Sequence, residues 1–229
     1  MQKASKAVLI SLLGAAASAG AQMPGAPILQ NAWATPGIVV AANYGGSSDG
    51  SVFAGAAGWA PGGARFQVSG GVGYQSQTGG SGRTVYGARV AVPFLGGASS
   101  TFGLAGFAGI GGGPSKTTSS VMTLPSGIVV AGDSTTFSTE IPVGVAVGWR
   151  HAIGGSHGFS LYATPAYVQY AGGSKSSGTF RAAIGGDFGV TSSLGVTAGI
   201  DFGSKRPRGF GGPTASQFGA GVSYALGRR

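Results

Sequence analysis

Ser216-Gln-Phe-Gly-Ala-Gly-Val-Ser-Tyr-Ala-Leu226 decides how the rest of the chain is read. Phe218, Ala220, Val222, Tyr224 and Leu226 share one face of an extended strand. Gln217, Gly219, Gly221, Ser223 and Ala225 share the other. A strand repeats every two residues, so this alternation divides an apolar face from a small or polar one. The same pattern returns from about Ile38 to the C-terminus, behind a leader-like N-terminus. Together these features predict a closed barrel with an apolar outer face and a polar lumen.

The composition supports an ordered membrane chain. Only 8% of its 229 residues are charged and 48 are Gly, which on their own also fit a low-complexity chain. Against that, 42% are hydrophobic and they alternate in order. After the leader, no run approaches the roughly 18 apolar residues that a spanning helix needs. A membrane chain without such a helix must satisfy its backbone hydrogen bonds between strands.

Residues 1–21 read as a secretory signal. Lys3 and Lys6 form a positive start, Ala7 to Ala17 an apolar stretch, and Ala19-Gly-Ala21 a small-x-small cleavage site. Cysteine is absent, which excludes a disulfide framework and a lipid-anchored cysteine. Residues 22–36, with Pro24, Pro27 and Pro36, are expected to form an irregular periplasmic lead-in to a barrel over 37–229. The net charge is +9, or +7 once Lys3 and Lys6 leave with the leader. We assign this excess to loops and the tail (Lys116, Lys175, Lys205, Arg206, Arg208, Arg228, Arg229), where it suits anionic lipid headgroups better than nucleic acid.

About ten strands are expected, near 37–45, 51–60, 65–76, 83–94, 100–111, 137–150, 159–171, 178–190, 194–203 and 216–226. Short links after the second, fourth, sixth and eighth strands alternate with generally longer ones, the longest running from Gly112 to about Thr136. That asymmetry places both termini on the periplasmic side. The link Gly46 to Gly50 is short for an external loop, so eight strands remain an alternative. Ile128-Val-Val-Ala131 is a candidate hairpin arm above the membrane. The seventh strand alternates poorly. Leu161 and Tyr167 oppose Tyr162, Val168 and Tyr170, which suggests a bulge near Pro165. Aromatics are expected in two girdles: Trp59, Phe94, Trp149, Phe188 and Tyr224 at one level, Tyr44, Tyr74 and Phe202 near Phe53, Tyr86, Phe180 and Phe218 at the other.

Parity sends seven charges inward: Arg65, Arg89, Glu140, Arg150, Arg181, Asp187 and Asp201. In a narrow lumen such charges need partners, so they are expected to form a structural network with a positive excess. A charged constriction favouring anions is the functional alternative. No catalytic set, metal spacing or cofactor motif stands out. His151 and His157 fall at a short turn, and Gly109-Ile-Gly-Gly-Gly113 lacks the helix that phosphate binding requires.

On these grounds the chain resembles the small outer-membrane β-barrel proteins of Gram-negative bacteria. Gln217, Gly219, Val222 and Tyr224 are similar to that family's C-terminal assembly signal. The resemblance implies reading by the barrel-assembly machinery, although this chain continues past Tyr224 to Arg229, where the family commonly ends on an aromatic residue. The expected role is non-enzymatic, structural or surface-interacting, within outer-membrane lipid. A small porin-like channel is the alternative and an outer-membrane enzyme a lower third.

Overall fold

The computed structural model describes residues 32–48, 50–77, 82–96, 100–118, 122–123, 129–130, 133–154, 157–172, 175–204 and 216–226. Residues 1–31, with the signal and most of the lead-in, lie outside these. So do the side chains of Lys116, Lys175, Lys205, Arg206, Arg208, Arg228 and Arg229.

Ten long strands follow in sequence: β1 (Gly37–Ser47), β2 (Gly50–Ala60), β3 (Gln67–Gln77), β4 (Arg83–Leu95), β5 (Phe102–Thr118), β8 (Asp133–Gly154), β9 (His157–Gly172), β10 (Lys175–Gly189), β11 (Leu194–Gly203) and β12 (Ser216–Leu226). Between β5 and β8, β6 (Met122–Thr123) pairs with β7 (Val129–Val130). The ten long strands close into one barrel in chain order, with β12 returning to β1. Every pairing is antiparallel, and closure leaves no barrel edge open. The eight-strand alternative is thereby excluded. The short Gly46 to Gly50 link is a tight turn joining β1 to β2, and the arm expected at Ile128–Ala131 is present as β7.

Faces follow parity. Ile38, Val72, Val143, Ile184, Ile200 and Phe218 point outward and are exposed, whereas Val39, Val85, Ala146, Ala183 and Asp201 point inward and are buried. An outer wall of exposed valine, isoleucine and aromatic rings is stable against hydrocarbon, not water. Outward rings meet between neighbouring strands, as in Tyr44 with Phe218 and Tyr167 with Phe180, between β2 and the link before β3, as in Trp59 with Phe66, and across the intervening Gly112 of β5, as in Tyr86 with Phe137.

The expected bulge near Pro165 is absent. Strand β9 keeps one alternation from end to end, with Ser160, Tyr162, Thr164, Ala166, Val168 and Tyr170 all inward. Glycine on the next strand makes the room: a Cβ on Gly185 would collide with the Tyr162 ring. Register shifts fall instead between Pro93 and Leu95 and between Ala152 and Gly154, near strand ends.

Strands β5 and β8 outrun their neighbours. Pairing of β5 with β4 stops at Gly112, and pairing of β8 with β9 starts at Ser138, yet β5 and β8 stay paired out to Thr118 and Asp133. The excess is a two-stranded ribbon. At about 3.3 Å per residue its last pair lies roughly 20 Å beyond the last rung that β5 shares with β4, while β4 itself continues to Arg83. The opposite end of the barrel carries the links β2–β3, β4–β5, β8–β9 and β10–β11 and the described chain ends, Ala32 and Leu226, while β1–β2 and β9–β10 are joined at the ribbon end by short links, Ser47 to Gly50 and Gly172 to Lys175.

Candidate functional site in the barrel lumen

Towards the ribbon end, Arg181 on β10 meets Asp201 on β11. Nε donates to Oδ1 at 2.8 Å, the second nitrogen lies 2.7 Å from the same oxygen, and a third donates to the Ser204 carbonyl. Both side chains are fully buried, so charge, hydrogen bonds and desolvation are matched locally. At that end of β4, Arg83 donates to Gln75 Oε1 at 2.8 Å and to Ser138 Oγ at 3.2 Å. Sequence parity alone also sends Arg83 inward. It escaped the sequence reading because it is the first residue of its strand.

Mid-barrel, Arg89 lies over Phe107 with 3.6 Å between guanidinium carbon and ring centroid. The Phe107 ring occupies space left by Gly144, where a Cβ would stand 2.8 Å away. Tyr162 lies within electrostatic range of Arg89 and Asp187, and its hydroxyl is 3.4 Å from Thr197 Oγ1. Ser160 donates to Asp187 Oδ2 at 2.8 Å. Glu140 is buried on β8 at 1% exposure. Strand registry sets Arg150, Ser160, Asp187, Thr197, Gly221 and Asn43 in one row that crosses six strands of the wall.

At the end opposite the ribbon, the described part of the lead-in enters the barrel. Ala32, Trp33 and Thr35 are buried, and Trp33 joins Phe107, Val168 and Tyr170 in a core cluster inside the barrel. The described part of the lead-in is therefore irregular but packed in the lumen. The guanidinium of Arg150 sits 4.6 Å from the Trp33 ring, and its Nε donates to the Ser100 carbonyl at 2.8 Å.

Of the seven charges expected inside, six are inward: Arg89, Glu140, Arg150, Arg181, Asp187 and Asp201. Arg65 is not. It is exposed in the link before β3, because the strand begins only at Gln67. With Arg83 added, four arginines face three acids, an excess of one positive charge among the described residues. Much of this charge is satisfied in local contacts at different heights, and no single cluster gathers it.

The four residues of the C-terminal motif divide by face: Gln217 and Gly219 inward, Val222 and Tyr224 outward. His157 stacks on Phe188 and His151 on Trp149, both outside the lumen. Ser160 and Asp187 thus have no histidine beside them of the kind nucleophilic catalysis requires. No cluster of metal-ligating side chains occurs among the described residues.

This geometry has a solved counterpart. The beta domain of the Bordetella autotransporter BrkA superimposes with a TM-score of 0.54 at 13% identity, over 83% of this chain and 100% of that one. The fold is that of an outer-membrane β-barrel. OmpT, an outer membrane protein of Vibrio cholerae, aligns over 82% of this chain and 96% of its own at 10% identity, with a TM-score of 0.27 on which no argument rests. No family model matches the chain, and no curated protein does. In an outer-membrane β-barrel the exposed apolar wall faces lipid.

Proposed function

We propose that this outer-membrane β-barrel is a non-enzymatic scaffold, closed to solute flow, whose working part is the ribbon formed by β5 and β8 outside the membrane. The observation that carries the reading is the lumen filling: Trp33, Phe107, Val168 and Tyr170 pack into one buried cluster across a barrel narrow enough for side chains to close. The ribbon supports it, because paired strands that continue roughly 20 Å past the last rung shared with β4 add little to the wall but present paired backbone to the exterior. Export through residues 1–21, residence in outer-membrane lipid and reading of Gln217, Gly219, Val222 and Tyr224 by the barrel-assembly machinery belong to the same proposal.

A second reading, a small porin-like channel, draws on the positive excess in the lumen. Planar-bilayer conductance separates the two. The scaffold reading expects no stable unit conductance. Discrete steps whose ion selectivity changes in Arg89→Ala or Arg150→Ala would replace it with the channel. Turnover of lipid or peptide above background by the purified barrel would replace both with an enzyme.

A further inference from the structure

Gly103 on β5 and Gly148 on β8 are directly opposed in the ladder, and both face the lumen at the end away from the ribbon. Two adjacent inward glycines leave a patch of bare backbone. The Trp33 indole lies on it: a Cβ on Gly148 would come 2.5 Å from Trp33 Cζ3, and one on Gly103 would come 2.7 Å from Cε2. Over the ring sits Arg150, two residues along β8 on the same inward face and bonded to the Ser100 carbonyl in the link before β5. Glycine removes the side chains that would fill the space, and a guanidinium over an indole adds attraction. The ring is 4% exposed.

The chain reaches this position through a bend. Gly37 has φ of 94°, a conformation that side chains rarely adopt, and it turns the chain from the lumen into β1. Residues 32–36 lie outside the barrel ladder, which β1 joins only from Gly37.

We propose that Gly103, Gly148 and Arg150 form a receptacle for an aromatic side chain, that Trp33 is its occupant, and that residues 32–36 are a releasable plug, hinged at Gly37, of the mouth away from the ribbon. The proposal goes beyond the closed-scaffold reading, since it says which element closes this end and that the closure can be undone without unfolding the wall.

The chain has no cysteine, so a single introduced thiol reports access. Ala105→Cys places one inward beside the receptacle, at a position 1% exposed, and Val85→Cys places one inward towards the far end, at 0%. Each is combined with Trp33→Ala, which removes the occupant, or Gly148→Val, which fills its seat. Heat-modifiable migration on a gel verifies that each barrel is folded, and maleimide labelling is followed by mass. The plug predicts that the Ala105→Cys thiol reacts slowly in the parent and at least about tenfold faster in either combination, with the Val85→Cys thiol unchanged. Unchanged labelling of Ala105→Cys in folded barrels overturns the plug. Equal acceleration at both positions also overturns it, because the whole barrel has then loosened. Should Gly148→Val fail to fold, Trp33→Ala decides alone. Conductance by the parent barrel would sink the closed-scaffold reading and leave this labelling contrast intact.

Discussion

Arg89 and Phe107 face each other inside the barrel at 3.6 Å, and the ring covers a guanidinium whose three nitrogens have no hydrogen-bond partner among the described residues. An aromatic face attracts a cation but cannot accept its N–H groups in the plane. Burial of this charge therefore opposes stability. Replacing Arg89 by Met keeps the packing stem and removes the charge, so Arg89→Met should be neutral or stabilising. Urea unfolding in lipid vesicles reads the change; a midpoint clearly below that of the parent would show that the charge is satisfied in a way this geometry does not explain.

The opposite holds for Arg181. Its partner Asp201 is fully buried at 2.7 Å, and Arg181→Ala leaves that carboxylate without its cation. The expected loss is about 3–5 kcal/mol in the same urea experiment. The double change Arg181→Met with Asp201→Leu should recover most of it, since the desolvation cost goes with the charges. A double variant as unstable as the single one contradicts this account.

Which face meets lipid is open to direct test. Val145 sits mid-strand on β8, points outward and is exposed, while its neighbour Ala146 is buried in the lumen. Arginine on the lipid face near the membrane midplane costs about 2–4 kcal/mol. Val145→Arg should lower folding stability in vesicles by that amount, whereas Ala57→Leu, also outward, should be tolerated. A harmless Val145→Arg would mean that this wall faces water.

The C-terminal motif has a prediction that separates recognition from packing. Tyr224 is outward and half-exposed, paired across the backbone with Val40 and Leu194. Tyr224→Ala should refold into detergent almost as well as the parent and yet give much less heat-modifiable barrel in cell envelopes. An equal deficit in both settings would make Tyr224 a packing residue only.

The alternation of Ser216–Leu226 carried over to β12 residue for residue, because a lipid-facing strand obeys one rule on each face. Strand β9 resisted the same reading. Tyr162, Val168 and Tyr170 fill the lumen, so apolar side chains occupy both of its faces and the period of two disappears from the sequence. Trp33 left no periodic signal at all. Its seat is made by glycines about 70 and 115 residues further along, a pairing that only the folded ladder brings together. Arg65 misled for a simpler reason: parity was extended two residues past the end of the strand. The inward positions of Glu140, Arg181 and Asp201 were legible from parity; their partners and heights were not.

The seam between β1 and β12 runs from Ile38 opposite Leu226 to Gly46 opposite Phe218. The first barrel strand to be made thus waits for the last. Contacts so distant in the chain are slow to form, and until they do both seam strands expose an unpaired backbone that hydrocarbon cannot satisfy. No shorter stretch from the start of the chain is a smaller version of the barrel. A chain that stops before residue 216 has nothing to pair with β1 and β11, so the arrival of this one strand decides whether the wall is sealed.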